Sequence, residues 1–218
     1  TGSHGASTHQ GNLPDGHDLI FGENFNLTDL NRFFDVKKYM TPHSDLMSLM
    51  VLDHQCHMFN LIIRANYRIR LMMHDEKVDP DDGTASMPDR VAREIEMHSK
   101  ALVRYMLFTK EAELEGALSG TSGFAEYFSS QGIRDEKGRS LRDFDGENRL
   151  FKYACSYLVY SESFQALPTV FKRTIYEKLR TVLTTDELDE DFPHLTTDDK
   201  TAVYEILKST LPELSDDW

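Results

Sequence analysis

His54 and His57 stand three residues apart in the run DHQCHMFN. On an α-helix that spacing puts both imidazoles on one side, close enough to share a transition metal such as zinc, copper or iron. Asp53, four residues before His57, is placed to accept from the far nitrogen of that ring, and Asn60 and Arg64 continue the same side. His98, on the apolar stripe of the following helix, is the candidate third ligand. Antiparallel bookkeeping sets it nearer the level of residues 61–64 than of His57. The competing reading is a buried ladder, Asp53–His57–Asn60–Arg64, satisfied within the core and binding nothing. His43 lies eleven residues before His54, about 16 Å along a helix axis, and cannot join the same site.

Other chemistry is thinly represented. Gly120-Thr121-Ser122-Gly123 is glycine-rich but lacks the lysine of a phosphate loop. No Gly-x-Ser-x-Gly elbow occurs. The methionines recur at helical spacing and read as core filler. Residues 134–145, RDEKGRSLRDFD, alternate in charge and read as a solvated turn with local ion pairs. Enzymatic signals in the residues themselves are therefore poor.

The histidine pair sits in residues 41–74, read as one long helix. Thr41 is a candidate cap, Pro42 suits the first turn, and Asp45 complements the helix dipole. At 100° per residue, His43, Met47, Met50, His54, His57, Leu61 and Met72 fall within about 40° of one line. Leu49, Leu52, Cys56, Phe59 and Ile63 form a second apolar stripe, so the helix is expected to be central and buried on both sides. A second helix is expected from a Ser86–Asp89 capping box to about Glu115. A short amphipathic turn is read at 124–128 and a tight turn at 135–140. A third helix is read over 147–161, apolar nearly all round, although a buried strand gives the same pattern. A fourth opens at Pro168, and a fifth is capped by Thr196 with Asp199 as the reciprocal partner. The fold class is all-α: an irregular bundle of about five helices around a central buried helix at 41–74. Residues 1–34 read as an extended arm and 35–218 as the helical domain.

Composition sets the outer bounds. With 218 residues, 39% hydrophobic and 11% aromatic, the chain can fill a sizeable core. A net charge of −13 excludes a general nucleic-acid binder, which needs clustered Lys and Arg. No run reaches the ~18 apolar residues of a membrane span. The two cysteines, Cys56 and Cys155, exclude a disulfide-rich scaffold and read as buried thiols.

Several motifs taken together carry a resemblance: TGSHG with HQGN near the start, YMTPHSDLMSLMVLDHQCHMFNLIIRANY, GTSGFAEYF, GIRDEKGRSLRDFD, RLFKYACSYLVYSESFQALP and HLTTDDKTAVYEILKSTLPEL. From residue 2 to residue 218 the chain resembles the C-terminal half of exported bacterial cytochrome-c-like proteins with one upstream Cys-x-x-Cys-His haem motif. The resemblance implies a periplasmic parent protein with covalent haem c, working in electron transfer or redox sensing alongside an unidentified redox partner protein. It also implies that residues 1–34 are the tail of the haem-bearing domain, and that His9 or the His54/His57 pair could meet a haem held elsewhere. This chain lacks Cys-x-x-Cys-His, so it cannot attach haem covalently itself. The alternatives are an independent domain holding a transition metal through His54, His57 and His98, and a purely structural or interaction domain.

Overall fold

The computed structural model describes residues 28–31, 33–83, 86–112, 114, 116–185 and 190–214. His9 and most of the expected arm lie outside the described residues. Six α-helices appear among the described residues: α1 (Leu46–Asp75), α2 (Asp89–Met106), α3 (Phe124–Ser130), α4 (Glu162–Gln165), α5 (Thr169–Thr184) and α6 (Thr197–Thr210). Short 3-10 turns occupy Val36–Lys38, Tyr157–Tyr160 and Pro212–Leu214. The expected all-α class stands.

The long helix starts later than Thr41. Asp45 is its cap, accepting from the Ser48 N–H at 3.0 Å, while Thr41 accepts from the His43 N–H in the preceding turn. Leu46 and Met73 are buried toward the two ends of α1, and between them the buried positions are Met47, Val51, His54, Met58, Ile62, Ala65, Ile69 and Met72. They alternate at intervals of three and four, which is one stripe of a helix packed on one side. The second apolar stripe is not covered: Leu49, Leu52, Cys56 and Ile63 are exposed. The helix is thus peripheral on one side, and the expectation of burial on both is corrected. By length and composition α1 could cross a membrane, but its inner stripe is a large part of the core.

α2 packs against both α1 and α5, and α6 lies on α5. α3 and α4 lean on α1. α2 begins behind Pro88 rather than at a Ser86 box, with no side-chain cap. It ends at Met106 because Phe108 turns into the left-handed region at φ 56°. α6 does carry the Thr196–Asp199 capping box.

Residues 147–161 are not a helix. Phe144 and Phe151 form an isolated antiparallel bridge, closed by Gly146 at φ 71° and by Asp145 accepting from the N–H groups of Asn148 and Arg149. A short 3-10 turn, Tyr157–Tyr160, follows. The run is apolar nearly all round because it threads the core: Leu150, Phe151, Ala154, Cys155, Leu158 and Val159 are all buried.

Candidate functional site

The His54 side chain reaches the centre of the molecule. Its Nε2 is hydrogen-bonded to Ser156 Oγ at 2.8 Å, and its ring stacks on Tyr105 at 5.3 Å and leans on Phe108 at 5.1 Å. Ser156 also caps the Tyr157–Tyr160 turn, and its N–H donates to the Met106 carbonyl. The His54–Ser156 bond thereby joins α1, the end of α2 and the core-threading loop. Burial, helped by the neighbouring His57, drives the His54 pKa down to about 4. The ring is neutral at pH 7 and enclosed, with one nitrogen already engaged.

His57 is different. Three residues along a helix is 300°, so its ring sits about 60° around the axis from His54. That rotation suffices to bring it to the surface, where it is exposed and stacks on the other part of the Tyr105 ring, centroids 4.4 Å apart. Tyr105 is the organiser of the pair, its hydroxyl 3.4 Å from the His54 carbonyl oxygen. Burial, with the carboxylates of Asp53 and Glu111 adding to it, pushes its phenol up to about 12. Beside His57 opens a groove of about 570 Å³, walled by Leu46, Met50, Phe108, Leu114 and Leu150 and edged by Asp53. That volume falls within the roughly 300–1,000 Å³ of small-molecule sites.

The remaining proposed donors lie elsewhere. His98 faces Glu94 at 3.5 Å, and Glu94 is held by Arg68 of α1 through two bonds of 3.3 Å. Burial lowers the His98 pKa, the Glu94 charge opposing it and the Arg64 charge adding to it. That cluster ties α1 to α2. Among the described residues no group of three His, Cys, Asp or Glu side chains converges on a metal-sized point. Asp53, His57, Asn60 and Arg64 are all exposed, so the buried ladder is corrected as well. Cys56 is exposed rather than buried; Cys155 is fully enclosed, its thiol pushed up to about 12 by burial.

The Gly120–Gly123 motif proves to be a lock on the start of α1. Ser122 Oγ donates to the Asp45 carboxylate at 2.5 Å and accepts from the Phe124 N–H, while His43 Nδ1 and Thr121 Oγ1 are 3.1 Å apart. The serine therefore faces a carboxylate, not an imidazole, and is not activated as a nucleophile. From the sequence Tyr105 reads only as one member of the apolar stripe of the second helix, and Ser156 goes unnoticed. A serine inside an apolar run was the available signal, since a buried hydroxyl needs a partner.

Comparison with protein-family models, with curated proteins and with solved structures finds no match to this chain.

Proposed function

We propose that this domain is a helical module of a periplasmic c-type-cytochrome-like protein, supporting electron transfer or redox sensing without substrate chemistry of its own. Two things support the reading: the motif resemblance, and the placement of His57. The single observation that carries it is an exposed imidazole held flat against Tyr105 at the mouth of an apolar-walled groove. Haem c, carried by the upstream domain of the parent protein, would supply one-electron exchange.

The donor set fits such a group at one position. His57 offers an accessible nitrogen, Tyr105 stacks on its ring, and Leu46, Met50 and Phe108 give the groove an apolar wall beside it. His54 does not fit as a ligand, because its Nε2 is committed to Ser156 and its ring is enclosed. It forms an uncharged back wall instead. An independent metal centre on His54, His57 and His98 is disfavoured for the same reason, and because His98 belongs to the Arg68–Glu94 cluster. A structural or interaction role, the second reading, is favoured by a separate feature: the exposed apolar face of α1.

The test is a titration of the 218-residue protein against a water-soluble ferric haem peptide with one open axial position. The expected result is a low-spin Soret shift that is lost in His57→Ala and kept in His98→Ala. An unchanged spectrum, or a shift that survives His57→Ala, overturns the assignment.

A further inference from the structure

We infer that the outer face of α1 is a self-association surface, taking a second copy of this chain with the two α1 helices antiparallel. The face is long, with the exposed Asn60 set into it about 20° around the axis from Leu49. Leu49, Leu52, Ile63, Tyr67 and Leu71 each keep between 46% and 74% of their surface exposed, Cys56 is open beside them, and Phe59 is half-buried at the edge. Residues 49, 52, 56, 59 and 63 follow intervals of three and four, the spacing of the seam in a pair of packed helices. The inner face of the same helix is satisfied by the core, so this second seam has no partner within the described chain.

Between Leu52 and Ile63 the pattern is self-complementary about a point between His57 and Met58, with Tyr67 and Leu71 lying beyond the matched stretch. The same axis brings the two His57 rings together, so self-association and the haem contact proposed above compete for that face. Two antiparallel copies centred there set Leu52 opposite Ile63 and Cys56 opposite Phe59, each contact made twice, as a two-fold axis requires. Charge selects the same direction. At 100° per residue, Asp53 and Arg64 lie on one flank of the seam, about 40° and 60° from Leu49. An antiparallel pair brings flank to like flank, so Asp53 of one copy meets Arg64 of the other at both ends. A parallel pair would instead carry Arg64 toward Arg70 of the second copy and leave Asp53 opposite no cation.

Size is consistent with a reversible dimer. The stretch over which the two stripes overlap, residues 49–66, runs about 25 Å and is about 10 Å wide, some 250 Å² in projection. That is just below the roughly 300–600 Å² of the largest apolar patches on monomers. Even with polar flanks the contact stays below the roughly 800 Å² per partner of standard interfaces, so association is expected to be weak and reversible.

Sedimentation of the full chain across a concentration series tests this. A monomer–dimer equilibrium is expected, with Leu52→Asp and Ile63→Asp together giving a monomer whose helical circular dichroism is unchanged, both sites being exposed. Asp53→Arg or Arg64→Asp alone should weaken association several-fold, and the two together should restore it. Cys56 supplies a built-in probe: a short bismaleimide should give a covalent dimer that is absent in Cys56→Ser. A monomer throughout the series overturns the proposal. A dimer that survives the double aspartate variant, or no rescue by the charge swap, overturns it equally.

Discussion

A buried neutral imidazole makes stability depend on pH in a definite direction. The unfolded chain takes up a proton at His54 near 6.5, whereas the folded protein resists until about 4. Stability is therefore full above 6.5, falls as the pH drops through this window, and levels off with respect to this group below 4. At ~1.36 kcal/mol per unit, the loss amounts to about 3 kcal/mol. Urea unfolding at pH 7.5, 6, 5 and 4.5 should show the slope, and His54→Gln, which keeps a polar group toward Ser156, should flatten it. A slope unchanged in that variant would place the titration elsewhere. His98, whose pKa burial also lowers, adds to the same slope, so that variant removes only the His54 share; Asp199 and Asp135 leave the window clear. Burial pushes both carboxyls up, but hydrogen bonds outweigh it, chiefly from Arg149 and Thr196 to Asp199 and from Arg139 to Asp135. Their folded pKa values are depressed, so their contribution is lost only at lower pH. The sequence reading turns both imidazoles inward, and only His54 is there: 60° of rotation along the helix is enough to carry His57 from core to solvent.

Elements are held here by their ends. The α1 cap, Asp45, is embraced by the Gly120–Gly123 loop, and a Cβ at Gly120 would lie 2.5 Å from its Oδ2. Gly120→Ala must therefore displace the cap or the loop. The expected cost is about 0.5–2 kcal/mol, the worth of an N-cap, read as a lower thermal midpoint. On an Asp45→Ala background the same substitution should cost much less, because the clash and the cap have already gone. Additive costs in the two backgrounds would separate the loop from the helix start. Sequence signals worked where a terminus is closed by its own neighbours, as at the Thr196–Asp199 box of α6. They failed where closure comes from afar: the cap at Asp45 is completed by Ser122, 77 residues on. The stretch 147–161 failed for another reason. A segment buried on every side carries no period, and only the Asp145–Gly146 turn, bonded to Leu118 through the Gly146 carbonyl at 2.6 Å, shows why it folds back.

Across the whole molecule, one hydrophobic cluster runs without a break from Val51 on α1 to Leu214 after α6. α2 couples the histidine helix to α5, and α5 carries α6. Phe171, on α5, is wholly buried in that cluster. Truncating it to alanine is expected to cost about 3–5 kcal/mol through lost burial and the cavity left behind. The consequence reaches the other side of the domain if the core is a single cooperative unit. The near-ultraviolet signal of the tyrosines, which includes Tyr105 between the two histidines, should then melt together with the far-ultraviolet helical signal, both displaced downward by the same amount. Two separated transitions in Phe171→Ala, with the tyrosine signal holding at its original midpoint, would mean that α1 and α2 form their own folding unit. The Arg68–Glu94 bridge argues against that outcome only weakly, since a pair half-open to water adds little. The stronger argument is the His54–Ser156 bond, which ties the groove wall to the loop whose Phe151, Leu158 and Val159 belong to the same cluster as Phe171. Loosening α5 opens that shared cluster, so the groove is expected to lose its shape at the temperature at which α5 unfolds, and not above it.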